Sequence, residues 1–191
     1  MIDDIHKVIF VHIPRTSGTS IESFMKDHTS RYKGITKHSN ALQLHQSIGS
    51  KKWNSYFKFS ITRNPYDMVI SLYKAPAFRN IGYIAGKSLK YFLSHYKPWY
   101  WEHGTTCSDY LNRYDLDYIG EFNDRDKTID IINKKTGLSI KKSLQLRPVQ
   151  SSSKGSHKKH YSEYYDDETR EIVAQKYAED IERFKYEFEY N

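Results

Sequence analysis

The sequence lacks the elements of several common protein classes. Its 191 residues include a single cysteine, Cys107, so an internal disulfide is impossible and the chain suits a reducing or indifferent compartment. No apolar run approaches the ~20 residues that cross a bilayer, and the acidic start of the chain does not resemble a signal peptide. We therefore expect a cytoplasmic protein without a membrane span.

Familiar nucleotide and metal motifs are also absent. A Walker A loop needs Gly-x-x-x-x-Gly-Lys-Ser/Thr and a dinucleotide fingerprint needs three spaced glycines, and neither occurs in this chain. Its nine histidines form no His-x-x-x-His pattern, and there is no Cys-x-x-Cys, so no metal site is predicted. These absences argue against a kinase or NTPase that uses magnesium, and against an NAD enzyme.

Positive charge is in excess. The chain has 30 Lys and Arg residues against 23 Asp and Glu residues, a formal net charge of +7. Such a balance suits either a nucleotide with several negative charges or a nucleic acid. The charge is interspersed, however, and the one local basic cluster, at residues 154–159, is typical of a solvated loop. We therefore expect no nucleic-acid partner.

The length suits one domain over residues 1–191.

The most informative stretch is a strand that leads through small residues into a helix. The apolar residues from Val8 to Ile13 predict a buried strand, and a helix with apolar periodicity opens at Ile21. The backbone N–H groups of such a turn can hold a phosphate-like group, and Arg15 adds a fixed cation. An ordinary strand–turn–helix connection is the alternative. The hydroxyl donors of the turn are Thr16, Ser17, Thr19 and Ser20.

A second stretch repeats the pattern of strand and helix. Residues 56–62 predict a strand, Asn64 is a good N-cap, and Pro65 fits the first helical position. Arg63 stands at the carboxyl end of this strand, where ligands gather in open α/β sheets. Arg63 is therefore expected to face the same crevice as the first loop.

Together, the stretches HIPRTSGTSI (residues 12–21) and ITRNPYDMVISLY (residues 61–73) resemble the two nucleotide-binding motifs of a known family. The family is the sulfotransferases that use 3′-phosphoadenosine 5′-phosphosulfate (PAPS), and the small carbohydrate-type group is most similar. YIGEFNDRD (residues 118–126) and residues 160–188 are similar to that group as well. The resemblance implies that Arg63 and Ser71 grip the 3′-phosphate of PAPS. It assigns the 5′-phosphosulfate to the loop residues Arg15, Thr16, Ser17, Gly18, Thr19 and Ser20.

One residue departs from the family pattern. The family usually has a lysine at the position of Arg15, and that lysine contacts the bridging oxygen of the leaving phosphate. Arginine keeps the positive charge but does not give up a proton at ordinary pH. We therefore expect Arg15 to stabilise the leaving oxyanion by its charge, and not to act as a general acid.

A histidine between the two motifs is the candidate base. Sulfotransferases carry a catalytic histidine, often beside a lysine, in this interval, and the resemblance implies His38 as general base and Lys37 as a helper cation. Taken alone, the polar segment around these residues is typical of a surface loop. His45 and His12 are rival bases, although His45 is expected to be a partly buried helix residue.

The order of predicted elements defines a fold class. We expect a three-layer α/β domain with a P-loop-like first unit and a central parallel sheet flanked by helices. Further helices are predicted over residues 85–96, 125–136 and 166–184, and Gly137 is a good C-cap residue.

The resemblance also implies the reaction. A sulfuryl group passes from PAPS to an acceptor hydroxyl, and adenosine 3′,5′-bisphosphate is released without a metal ion. A carbohydrate acceptor is favoured, and a phenol or other small aromatic alcohol comes second. Trp99 and Trp101 form either a stacking floor for the acceptor or ordinary loop packing. Ser152 and Lys154 are candidate PAPS contacts, although their segment is equally typical of a mobile loop without a ligand.

Overall fold

The computed structural model describes residues 1–16, 18–75, 85–96, 104–141 and 159–190, without the side chains of Thr19, Ser20 and Arg125. The chain divides into two compact units. The first unit comprises Met1–Arg63 and Tyr100–Gln145, and the second comprises Asn64–Trp99 and Leu146–Asn191. Along the chain, the described helices are α1 (Gly18–Glu22), α2 (Ala41–Ile48), α3 (Ser50–Ser55), α4 (Pro65–Tyr73), α5 (Leu89–His95), α6 (Cys107–Leu111), α7 (Arg125–Thr136), α8 (Asp167–Lys176) and α9 (Ala178–Phe184).

The first unit contains a four-stranded sheet in the order β1 (Ile2–Asp3), β2 (Val8–Val11), β3 (Phe57–Thr62) and β4 (Tyr118–Glu121). Strands β2, β3 and β4 are parallel, and the short β1 pairs antiparallel with β2. The fold is therefore mixed α/β with a mostly parallel sheet, as the sequence predicts. The antiparallel β1 was not expected.

One hydrophobic cluster of the first unit lies on one face of this sheet, while Ile9 and Val11 of β2 are buried on the other face. Val8 and Phe10 of β2 share that face with Phe59 and Ile61 of β3, because side chains alternate along a strand. The Phe10 and Phe59 rings stack with their centroids 4.7 Å apart. Since β2 and β3 are parallel neighbours, the residues that follow them leave the sheet at the same edge. The other members of this cluster are Met1, Ile21, Met25, Ile129, Ile132, Leu138 and Ile140.

The second unit begins with the predicted cap of α4. The Asn64 side chain accepts a hydrogen bond from the Tyr66 N–H, and Pro65 occupies the first helical position, so this prediction is confirmed. The Asn64 amide also donates to the carbonyl oxygen of Glu187 at 2.8 Å. The Phe188 ring packs edge-on against Tyr66 at 5.0 Å. These contacts fasten the C-terminal segment to the start of α4.

Three predicted helices have different bounds. The helix predicted over residues 166–184 is two helices, α8 and α9, because the buried Tyr177 between them leaves helical geometry with φ −113° and ψ 24°. Helix α5 begins at Leu89 and not at residue 85, since the Ser88 side chain caps it by accepting from the Tyr91 N–H. Helix α1 begins at Gly18 and not at Ile21, and it ends at Glu22. Helix α7 and its left-handed C-cap Gly137 are as predicted.

Candidate active site

The loop after β2 is a tight turn with a strained residue. The Thr16 hydroxyl is buried and donates to the Ile13 carbonyl oxygen at 2.8 Å. Its proton is therefore engaged within the loop and not offered to a ligand in this conformation. Arg15 has φ +70°, a left-handed conformation that costs a non-glycine residue about 1–2 kcal/mol. Left-handed residues of this kind occur in the concave backbone turns that bind anions.

Gly18, which opens α1, is a glycine for steric reasons. A Cβ at Gly18 would lie 1.7 Å from Nε2 of His12, so no other residue fits while that ring stays in place. The His12 side chain is 3% exposed, and its ring also stacks on Phe10 with a centroid distance of 5.3 Å. The start of α1 therefore rests directly on the ring of the residue that follows β2.

The candidate base His38 lies against the same residue. Its ring centroid is 4.4 Å from that of His12, and its Nδ1–H donates to the His12 carbonyl oxygen at 3.3 Å. A carbonyl only accepts, so Nδ1 carries the proton and the neutral ring has its lone pair on Nε2. Burial lowers the pKa of His38 below its ordinary 6.5, an effect larger than that of the hydrogen bond to His12, which raises the pKa. His38 is thus a neutral imidazole at physiological pH, as a general base must be.

The other two histidines have different surroundings. Burial lowers the pKa of His12 well below 6.5, and its ring is enclosed. Both ring nitrogens of His45 are engaged, because Nδ1 pairs with the Tyr114 hydroxyl at 2.8 Å and Nε2 with the Ser50 hydroxyl at 2.9 Å. These contacts are those of a histidine that links α2 and α3 to the segment after α6.

Lys37 pairs with a carboxylate in this structure. Its Nζ lies 3.3 Å from the Glu22 carboxylate at the end of α1, and both side chains are partly exposed. An exposed pair of this kind contributes at most about 1 kcal/mol, so the ammonium group can exchange partners at little cost. The positive charge of Lys37 also lowers the pKa of His38.

Arg63 connects the second motif to the first. Its guanidinium donates to the Arg15 carbonyl oxygen at 2.9 Å and lies 4.0 Å above the centre of the Phe122 ring. The Phe122 N–H in turn donates to the Thr62 carbonyl oxygen at 2.8 Å. Phe122 was not predicted as a site residue. The signal that could have found it is its place immediately after β4, the neighbour of the strand that leads to Arg63.

The remaining predicted residues belong to the second unit, to α1, or to segments outside the described residues. Ser71 is a buried residue of α4 in the second unit. Thr19 and Ser20 are placed only by their backbone, at the start of α1. Ser17, Trp99, Trp101, Ser152 and Lys154 lie outside the described residues.

A mostly parallel sheet whose β2 strand leads through a tight loop into a helix is typical of P-loop-like α/β folds. A family model of sulfotransferases matches residues 1–187, so the chain belongs to the sulfotransferase family. It is therefore a transferase that moves sulfuryl groups to small-molecule acceptors. Searches of curated proteins and of solved structures find no match.

Two further findings concern the described part of the chain alone. None of its helices is long and apolar enough to cross a membrane. Within the same residues, no group of three or more His, Cys, Asp or Glu side chains could hold a metal ion. The cytoplasmic location and the single domain over residues 1–191 stay predictions of the sequence.

The two buried histidines, His12 and His38, make the free energy of unfolding sensitive to mild acid. Their pKa values are lowered by burial, so below the ordinary 6.5 the unfolded chain binds protons that the folded chain refuses. We expect the free energy of unfolding to fall as the pH drops from 6.5 to 5, by up to roughly 1.4 kcal/mol per pH unit for each histidine. Urea titrations across this range measure the slope.

A leucine at position 12 is the control for this prediction. The Met1 ammonium group, whose pKa burial lowers to about 5, adds to the same slope, so the wild-type value alone does not isolate the histidines. His12→Leu keeps the volume nearly constant and removes one titrating group. The variant should lose part of the slope, and an unchanged slope would contradict a buried neutral His12.

Proposed function

We propose that this protein transfers the sulfuryl group of PAPS to a hydroxyl of a carbohydrate acceptor and releases adenosine 3′,5′-bisphosphate. The observation that carries the proposal is the hydrogen bond from Arg63 to the Arg15 carbonyl oxygen, which joins the two motifs at one edge of the sheet. A donor with a phosphosulfate at one end and a 3′-phosphate at the other needs two such anion-binding elements close together.

The two ends of PAPS are assigned to the two elements. The backbone of the loop from Arg15 to Gly18 would hold the 5′-phosphosulfate. Arg63 would hold the 3′-phosphate through charge-assisted hydrogen bonds, with its guanidinium plane kept in place by Phe122. The assigned contacts that stay predictions are Thr16, Ser17, Thr19, Ser20, Ser71, Ser152 and Lys154.

The proposed chemistry is an in-line displacement at sulfur. The acceptor oxygen forms a bond to sulfur while the bond from sulfur to the bridging phosphate oxygen breaks, and the electron pair leaves with the phosphate. His38 takes the hydroxyl proton on Nε2, and Arg15 stabilises the charge that develops on the leaving oxygen. Lys37 adds a second cation once it leaves Glu22. Positioning and charge stabilisation would supply most of the catalysis, as in phosphoryl transfer.

An acceptor screen with sulfur-labelled PAPS tests this function. The purified protein should move label to at least one saccharide and produce adenosine 3′,5′-bisphosphate in equal amount. Transfer to phenols and not to saccharides would keep the reaction and replace the acceptor class. If label reaches neither class, while nucleic acid binds with a steep salt dependence that the bisphosphate does not compete, the proposal is wrong.

Arg63 should discriminate between nucleotides that differ in one phosphate. Arg63→Ala should weaken the binding of adenosine 3′,5′-bisphosphate far more than the binding of adenosine 5′-monophosphate. The reason is that only the bisphosphate carries the 3′-phosphate that Arg63 would bind. Calorimetry measures both affinities. Arg31→Ala, which removes an arginine whose side chain is 65% exposed, controls for the general loss of positive charge. An equal loss of affinity for both nucleotides in Arg63→Ala would contradict the assignment.

A further inference from the structure

One buried polar group is not explained by the roles assigned so far. Among the described residues, Nδ1 of His12 has no hydrogen-bond partner, although the side chain is 3% exposed. Burying a polar nitrogen without a partner destabilises a fold, and an apolar side chain of similar volume would avoid that cost. A histidine at this position is therefore unfavourable for stability alone.

Three contacts that His12 makes with described residues beyond β2 lead to the proposed site. Its ring occupies the space where a Cβ of Gly18 would lie, its ring packs on that of His38, and its carbonyl oxygen accepts from Nδ1 of His38. The interplanar angle between the two imidazoles is 44°. One residue thus touches both the loop assigned to the donor and the base assigned to the acceptor.

We propose that His12 is a positioning residue that sets the tautomer, the orientation and the dry surroundings of His38 relative to the Gly18 loop. The inference rests on the proposed function, in which His38 is the base. The His12 carbonyl oxygen accepts from Nδ1–H of His38 and so keeps the proton on that nitrogen. The lone pair of His38 Nε2 is then available to the acceptor hydroxyl. The His12 ring fixes the tilt of the His38 ring and excludes water from one face of it. Because the His12 ring also contacts Gly18, the orientation of His38 depends on the position of the loop that would bind PAPS.

The charged groups around the pair are few. His38 lowers the pKa of His12, Lys37 and the amino terminus of Met1 lower the pKa of both histidines, and Glu22 raises that of His38. Burial is the largest cause for each histidine. Removing the His12 ring admits water beside His38, so the pKa of His38 should move up toward 6.5. Leucine at position 12 keeps water out and should leave that pKa low.

Nuclear magnetic resonance of the imidazoles tests the proposal without any assay of activity. In the wild type, nitrogen shifts should show His38 protonated on Nδ1 and bare on Nε2 at neutral pH. Titration should give a higher pKa for His38 in His12→Ala than in the wild type, and a nearly unchanged pKa in His12→Leu. The opposite tautomer, or an identical pKa in all three proteins, would overturn the proposal. If His12→Ala does not fold, the wild-type tautomer and the leucine variant still decide the question.

Kinetics supply a second readout. His12→Ala should lower kcat roughly 10–100-fold, the scale expected when a reacting group is misplaced by about 1 Å. The pH at which kcat/KM rises should move up together with the pKa of His38. His12→Leu should also lose activity, because the His38 ring is no longer held at its angle. The midpoint of its pH profile should stay at the wild-type value. A loss of kcat in His12→Ala with an unshifted midpoint would mean that His12 acts through the fold in general.

A double-mutant cycle tests the link to the loop. Gly18→Ala in the wild type forces a methyl group into the His12 ring and should disturb the resonances of His38. In the His12→Ala background the same methyl group finds space, so it should cause little further change. Additive effects would refute the link. The proposed function fails separately: if His38→Ala keeps full turnover while these couplings hold, His12 still positions His38 but His38 is not the base.

Discussion

Replacing His38 by alanine is expected to lower turnover by roughly 10²–10⁴-fold, the range for losing a general base. The affinity for adenosine 3′,5′-bisphosphate should hardly change, because His38 contacts the carbonyl oxygen of His12 and is assigned to the acceptor and not to the nucleotide. Single-turnover rates with the acceptor found in the screen, together with calorimetry of the bisphosphate, measure the two effects. His95→Ala, which removes an exposed histidine of α5, is the control.

The pH profile gives this prediction a second test. Only neutral imidazole takes a proton, so wild-type turnover should rise with pH and level off. The midpoint should lie below 6.5, since burial lowers the pKa of His38. The loss of turnover in His38→Ala should be smaller with an acidic phenol as acceptor than with a sugar, because the phenol hydroxyl loses its proton more readily. Full activity in His38→Ala with loss in His45→Ala or His12→Ala would mean that the base is misassigned. Activity in all three would refute histidine base catalysis.

Elements with strong local chemistry were predictable from the sequence. The Asn64 cap with Pro65 behind it, the left-handed Gly137 and the bounds of α7 all depend on groups within a few residues of one another. The parallel sheet followed from buried apolar runs separated by helices. Caps and apolar patterns of this kind are visible in the local sequence, and the corresponding elements are present in the structure.

Features that depend on distant parts of the chain were missed. Tyr177 divides the last predicted helix although the apolar pattern continues through it, since the backbone of this buried residue leaves helical geometry. Phe122 meets Arg63 only after β4 has paired with β3, and the sequence does not state that register. His12 stays one of the rival bases, and its burial and its contact with Gly18 arise only in the folded chain. The pairing of β4 with β3 decides the contact between Phe122 and Arg63, and no signal within a few residues reports that pairing.

The second large effect is expected at Arg15. Arg15→Ala should lower turnover by about two to three orders of magnitude, the scale of losing one donor to a developing oxyanion. The reason is charge: a guanidinium stabilises the leaving phosphate oxygen but does not protonate it. Arg15→Lys should restore much of the turnover, since lysine carries the same charge and is the residue that the family usually has. Near-normal turnover in the alanine variant would mean that the side chain does not face the leaving group.

Glycine at position 15 separates the side chain from the backbone. Arg15 has φ +70°, which glycine adopts freely and alanine does not, so Arg15→Gly should be more stable than Arg15→Ala by about 1 kcal/mol. Turnover should nevertheless be equally low in both variants if the guanidinium carries the effect. The Arg15 carbonyl oxygen remains in each of them to accept from Arg63, so binding of the 3′-phosphate should persist. If the glycine variant regains turnover in proportion to its stability, strain in the loop and not the missing charge explains the loss.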